Sequence, residues 1–245
     1  MSLLLPGLFL LGLLLGAVLW NLSEIGLGRG TAHLKPACVS CRSALSPTTW
    51  LPFYGFLTAY RCRSCRVEQP RLRFIWDGGV GLYFLLLGWK WDDSRQLVFS
   101  AVAAVPLLLI LVIDIRGNVL YLNSIVFALV VATVLGFLDG PRGMGSAMVG
   151  LSAGIAIALA FFALSRWVFR SMSLKVSSIG IGDIYIAAAV GALVRGDGIV
   201  PALVFSVILG VIGSIALPLL SESSRHRATA YGPFLCLGGL LTLLR

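Results

Sequence analysis

Apolar residues gather into long runs along this chain, and the runs recur from Leu3 to Leu244. A helix needs roughly 20 mainly apolar residues to cross a hydrocarbon core about 30 Å thick. Measured against that length, segments stand out near 3–20, 74–91, 97–113, 119–137, 146–165, 183–194, 198–219 and 230–244. The pattern predicts an all-α polytopic membrane protein of about eight transmembrane helices. Its organisation follows: a first helix over 1–20, a loop domain over 21–73, and a seven-helix domain over 74–245. Gly78, Gly79, Gly150, Gly154, Gly210 and Gly213 fall inside spans, where small residues let helices approach closely.

Composition sharpens this picture. The chain of 245 residues is 58% hydrophobic and 12% charged, whereas a soluble domain has roughly 45–50% apolar and about 25% charged residues. With a mean hydropathy of +0.97, a soluble globular protein is excluded. The formal charge of +9 points to basic cytoplasmic loops and a lipid environment, with no nucleic-acid partner expected. Leu3–Trp20 contains no charged residue and reads as a retained span, since a cleaved signal would open with a basic stretch. With the N-terminus outside, 14 of the 19 Lys and Arg residues fall in inner loops. That bias places both termini outside and residues 21–73 in the cytosol.

The loop carries four of the five cysteines, as Cys38-x-x-Cys41 and Cys62-x-x-Cys65. Two such knuckles can close a tetrahedron of thiolates around zinc, and a small loop with few apolar residues needs a staple of that kind. Disulfides are the other use of this pattern, but the cytosol keeps thiols reduced. The expectation is a zinc-ribbon-like loop with structural Zn2+, because four cysteines leave no open coordination position. Cys236, alone in the last span, reads as a packing residue.

Candidate chemistry lies with the acids. Asp92, Asp93, Asp139 and Asp197 fall in short outer loops and read as solvated turns. Asp114 instead ends the run Leu107–Ile113, and Asp183 follows Gly180-Ile181-Gly182 and opens a second apolar run. An acid at the edge of hydrocarbon is costly to keep there, which marks a functional candidate. Both acids map to cytoplasmic helix ends, where they could face each other. Two carboxylates sharing a proton supply an acid and a base, enough to activate water against a peptide carbonyl. Gly180 and Gly182 would let a substrate backbone approach. On the residues alone, a structural pair or an ion pathway suits the same two acids.

A cytoplasmic C-x-x-C/C-x-x-C loop, then Ile113-Asp114, then Gly180-Ile181-Gly182-Asp183, resembles in content and order the type IV prepilin peptidases, membrane aspartic peptidases of the G-x-G-D kind. The run Val190–Leu193 through Ile212-Gly213 is similar to their sixth and seventh spans, and Tyr231-Gly232-Pro233-Phe234-Leu235 to their closing F-G-P-F-L run. The resemblance implies an inner-membrane, multi-pass enzyme with its active site at the cytoplasmic face. It would cut the basic leader of prepilins or pseudopilins after glycine, with Asp114 and Asp183 as catalytic residues, and in many members then methylate the new N-terminus from S-adenosylmethionine. Three places depart from the family pattern. Val119-Leu120-Tyr121-Leu122-Asn123 stands where L-P-D is usual, Tyr185 where Lys is common, and Asp77 lies one residue from the acid of an R-Y-P-x-x-E run. Two alternatives keep the fold and change the role: an inactive scaffold for pilin assembly, and an ion- or proton-coupled transporter using the same acids.

Overall fold

The computed structural model describes residues 4–26, 38, 40, 41, 43, 62, 64–67, 71–117, 121–171, 180–220 and 231–245. Most of the 21–73 loop, the stretch 118–120 and the basic residues Lys175, Arg225 and Arg227 lie outside the described residues. Those described form seven α-helices and no strand: α1 Leu4–Gly26, α2 Arg71–Lys90, α3 Ser94–Gly117, α4 Leu122–Leu138, α5 Gly140–Ser171, α6 Ile181–Leu220 and α7 Gly232–Leu243. Within them Leu4–Ser23, Ser94–Gly117, Gly140–Trp167 and Ile181–Ile215 are long and apolar enough to cross a membrane. Helices α4 and α7 are apolar but shorter, and α2 carries Arg71, Arg73, Asp77 and Lys90.

The eight expected segments correspond to these seven helices, because α6 comprises two helices joined at a kink. Segments 183–194 and 198–219 are the two halves of α6, separate helices that meet at a kink at Arg195, whose φ of 67° and ψ of −179° leave the helical region; Ala187 of the first half and Leu203 of the second line one pocket. The polar stretch Arg195-Gly196-Asp197-Gly198 is where the chain turns between them. One left-handed residue absorbs the break, an arrangement that costs a non-glycine residue energy and must be held from outside. Here the Arg195 guanidinium is ion-paired to Asp139, and the Gly196 N–H donates to Ser146 Oγ at 3.2 Å. Asp139, expected as a solvated turn, is therefore a partly buried tether. Asp92, Asp93 and Asp197 are exposed as expected, and Asp93 Oδ1 accepts the Arg95 N–H at the start of α3.

The chain forms two compact units, Met1–Ala101 and Val102–Arg245. In the first, α1 packs on α2 through Gly12 and Gly16, one turn apart on one face of α1. A Cβ at Gly12 would stand 2.8 Å from the Gly81 Cα and the Val80 carbonyl, and one at Gly16 3.0 Å from the Asp77 Cα. This is the small-x-x-x-small contact by which membrane helices pack backbone to backbone. Trp76 Nε1–H donates to the Gly16 carbonyl at 3.2 Å across the same face. Asp77 is fully buried beside Arg73, one turn earlier on α2, at 3.9 Å.

In the second unit, α6 is the central element and packs on α4, α5 and α7. Gly150 and Gly154 of α5 meet the carbonyls of Gly191 and Ala187 on α6, so any side chain there would push the helices apart. Gly210 and Gly213 of α6 receive the rings of Tyr231 and Phe234, and Gly238 of α7 lies against Ala202 and Ser206 of α6. The packing role expected of Gly150, Gly154, Gly210 and Gly213 is thus seen in these contacts. Gly78 and Gly79 have no neighbour within 4 Å of a Cβ position.

Candidate active site and metal centre

Asp114 lies in the last turn of α3, 8% exposed. Asp183 lies in the first turn of α6 and is half-buried. That position gives Asp183 the partial positive charge of a helix N-terminus. The Gly180 N–H donates to its Oδ2 at 2.9 Å, while the Asp183 N–H donates back to the Gly180 carbonyl at 3.1 Å. Gly180 thus does something the sequence reading did not assign to it: its amide orients the acid. Its Cβ position is open apart from Gly182 N and Asp183 Oδ2, at 3.8 and 3.9 Å.

The two acids are 69 residues apart in sequence and come within Coulombic range of each other. A residue passed over by sequence reasoning sits between them. Gly232, buried at the start of α7, sends its backbone N–H to the Asp183 carboxylate. Its Cα faces Asp114 so closely that a Cβ would run into Asp114 Oδ2 and stand 2.7 Å from Ile186 Cδ1. Helix α7 thus enters the site through a residue that offers a donor and takes no space. The signal was present in the Tyr231-Gly232-Pro233 run, but nothing local says that a glycine two spans away completes an acid pair. Cys236, one turn further along α7, is fully buried near both carboxylates.

Asp183 also borders a small open cavity. Its walls come from α5, α6 and α7 and are chiefly apolar, with Phe161, Ala187, Leu203, Val207 and Leu235 among them. Such a place can hold an apolar segment while presenting a carboxylate at its edge.

The cysteines converge independently of the acids. All four Sγ atoms of Cys38, Cys41, Cys62 and Cys65 lie within 4.8 Å of one another. Cys38–Cys65 and Cys41–Cys62 are each 3.5 Å apart, near the ~3.8 Å edge of a tetrahedron with zinc–sulfur bonds of about 2.3 Å and well beyond a disulfide's ~2.05 Å. Each knuckle turns back on itself: Cys38 N–H donates to the Ser43 carbonyl at 2.9 Å, and Cys62 N–H to the Val67 carbonyl at 3.0 Å. In the second knuckle Arg66 takes a left-handed φ of 56°. The Ser43 hydroxyl, with the Cys65 amide, brings the Cys62 thiol down to about 5. At Cys65 the Val67 amide pulls downward, but burial and the neighbouring Cys41, Cys38 and Cys62 sulfurs outweigh it and push the thiol up to about 12. Four sulfurs this close do not all ionise without a cation among them. The donor set and spacing fit Zn2+, which would act as a structural staple.

A metal test follows. Cys38→Ser or Cys62→Ser is expected to release about one zinc per chain and to open the loop to proteolysis. Elemental analysis of the purified protein checks it, and wild-type protein without zinc would refute it.

Comparison with known proteins supports the family resemblance. The chain is 23% identical over 243 residues to a prepilin leader peptidase/N-methyltransferase of Bacillus subtilis, covering 97% of this chain and 92% of that one. Proteins of the same name from Aeromonas salmonicida and Aeromonas hydrophila are 29% and 28% identical over 107 residues, covering 44% of this chain and 35% of theirs. No family model matches the chain, and no solved structure does.

Proposed function

We propose that this chain is a membrane aspartic endopeptidase that removes the leader of type IV prepilins or pseudopilins, cutting after glycine at the cytoplasmic face of the inner membrane. The observation that carries the reading is the meeting of Asp114 and Asp183 around Gly232, beside a largely apolar cavity. The names of the relatives supply the substrate class.

In this mechanism the two acids share one proton. The ionised carboxylate takes a proton from water as its oxygen attacks the scissile carbonyl, and the protonated partner serves the departing amine. The Gly180 and Gly232 amides, with the start of α6, hold Asp183 in place as the charge moves. The substrate's apolar helix lies in the bilayer and its basic leader at the anionic headgroups, so the cut site arrives at the level of the acids. Zinc acts only by fixing the shape of the loop. The name of the relatives also includes methyl transfer, for which S-adenosylmethionine would be the methyl donor.

The test is incubation of the detergent-solubilised protein with a model prepilin, followed by product mass. A product shortened at the glycine supports cleavage, and one heavier by a methyl group adds the second activity. Intact substrate at all enzyme levels would leave the scaffold or transporter reading. Orientation has a separate check. Labelling intact cells from outside is expected to reach a cysteine placed near Asp92 and to miss Arg42→Cys, and labelling of Arg42→Cys would reverse the topology.

A further inference from the structure

Ser43 follows the first cysteine knuckle and takes part in the cluster with both its backbone and its side chain. Its carbonyl accepts the Cys38 N–H at 2.9 Å, which fixes the residue against the knuckle it closes. Its Oγ lies 3.0 Å from the Cys41 Sγ of that knuckle and 3.3 Å from the Cys62 Sγ of the other. One hydroxyl thus stands between the two halves of the cluster. Cys41 is the exposed cysteine of the four, while Cys38 and Cys62 are buried and Cys65 is half-buried. The hydroxyl therefore lies at the open edge of the centre, where a competing ligand would first reach a bound ion.

A four-cysteine centre makes a demand on its surroundings. Zinc brings two positive charges to four negative sulfurs, so two negative charges remain uncompensated. Hydrogen bonds donated to the sulfurs stabilise that excess and hold each ligand in its direction. Backbone amides supply part of them, from Ser43 to Cys41, from Ser64 and Cys65 to Cys62, and from Val67 to Cys65. The Ser43 hydroxyl adds a side-chain donor to this set. Facing thiolates, which carry no proton, it can only donate, and with one proton it serves the nearer sulfur, that of Cys41.

Resting on the zinc assignment above, we propose that Ser43 is a positioning residue of the metal centre, whose hydroxyl donates to the Cys41 thiolate and slows loss of the ion at its exposed edge. Its role is independent of Asp114 and Asp183 and of what the chain cleaves.

The experiment compares full-length wild-type, Ser43→Ala and Ser43→Thr proteins, each loaded with zinc and equilibrated against a series of EDTA-buffered zinc concentrations. Ser43→Ala is expected to hold zinc about 10-fold more weakly, and Ser43→Thr, which keeps the hydroxyl, to stay within about threefold of wild type. Replacing zinc by Co2+ adds a readout that a packing role would not move. A hydrogen bond lowers the energy of the sulfur electrons, so its loss in Ser43→Ala is expected to move the thiolate-to-cobalt charge-transfer absorption to longer wavelength, and Ser43→Thr to restore it. Equal zinc affinity in wild type and Ser43→Ala, an unmoved absorption, or a Thr variant as weak as the Ala one would overturn the proposal. Absence of zinc from wild-type protein would defeat the zinc assignment along with it. Should Ser43→Ala lose the shape of the loop, Ser43→Val set against Ser43→Thr, alike in shape and differing in the hydroxyl, decides the matter by the same two readouts.

Discussion

Asp114→Asn and Asp183→Asn are each expected to lower cleavage by about 10³-fold or more, and the double variant to lose little beyond either single one. Residues that act as one unit are strongly non-additive, because the first substitution already removes the shared proton cycle. Asn is nearly isosteric with Asp and carries no charge, so both variants should stay folded. Folding without activity is what separates catalysis from a structural role for the pair. The check is a rate series with the two singles and the double on one prepilin substrate. Retained cleavage in one single variant would remove that acid from the pair, and retained cleavage in both would return the chain to the scaffold or transporter reading.

Gly232→Ala is expected to be nearly as damaging, although it adds a single methyl group. That methyl would collide with Asp114 Oδ2 and crowd Ile186 Cδ1 and Asp114 Cγ, at 2.7 and 3.3 Å. The Ile186 tip can rotate away, but the carboxylate can yield only by leaving its place. Displacements of about 1 Å at reacting groups cost on the order of 10²-fold in rate, and overpacking costs about 1–3 kcal/mol of stability. Gly210→Ala serves as the comparison, since its new methyl would touch only a ring edge at 3.0 Å. Comparable rates for Gly232→Ala and wild-type protein would show that Asp114 has more freedom than its surroundings suggest.

Both substitutions show what the sequence revealed and what it hid. Runs of apolar residues announce helices because a lipid-facing segment has little freedom to be anything else, and acids or paired C-x-x-C knuckles announce themselves because hydrocarbon and cytosol make them conspicuous. Asp114, Asp183 and the four cysteines were legible on those grounds. Gly232 was not, since its contribution is an amide and an absence of side chain, and both gain meaning only when α7 meets α3 and α6. The same holds for Gly12 and Gly16, whose partners on α2 lie across a long loop. Asp139 was misjudged because its position near a turn looked solvated, and only the tertiary fold brings Arg195, 56 residues away, to pair with it. Hydropathy did register the polar gap at 195–198, and the kink that divides α6 falls in it.

The left-handed break at Arg195 also determines how much lipid thickness the site's helices can match. An unbroken 40-residue helix would measure about 60 Å, at 1.5 Å per residue. The portion of α6 before the break, Ile181–Val194, is about 21 Å long, and the 12 residues of α7 about 18 Å. Both fall short of a ~30 Å hydrocarbon core, and a bilayer answers such hydrophobic mismatch by thinning locally. Asp183, at the start of α6, and Asp114 beside it would then sit in a dimple of the membrane, where water needs to cross less hydrocarbon to reach a peptide bond. On the peptidase reading, acyl-chain length of the surrounding lipid thereby becomes a control on hydrolysis.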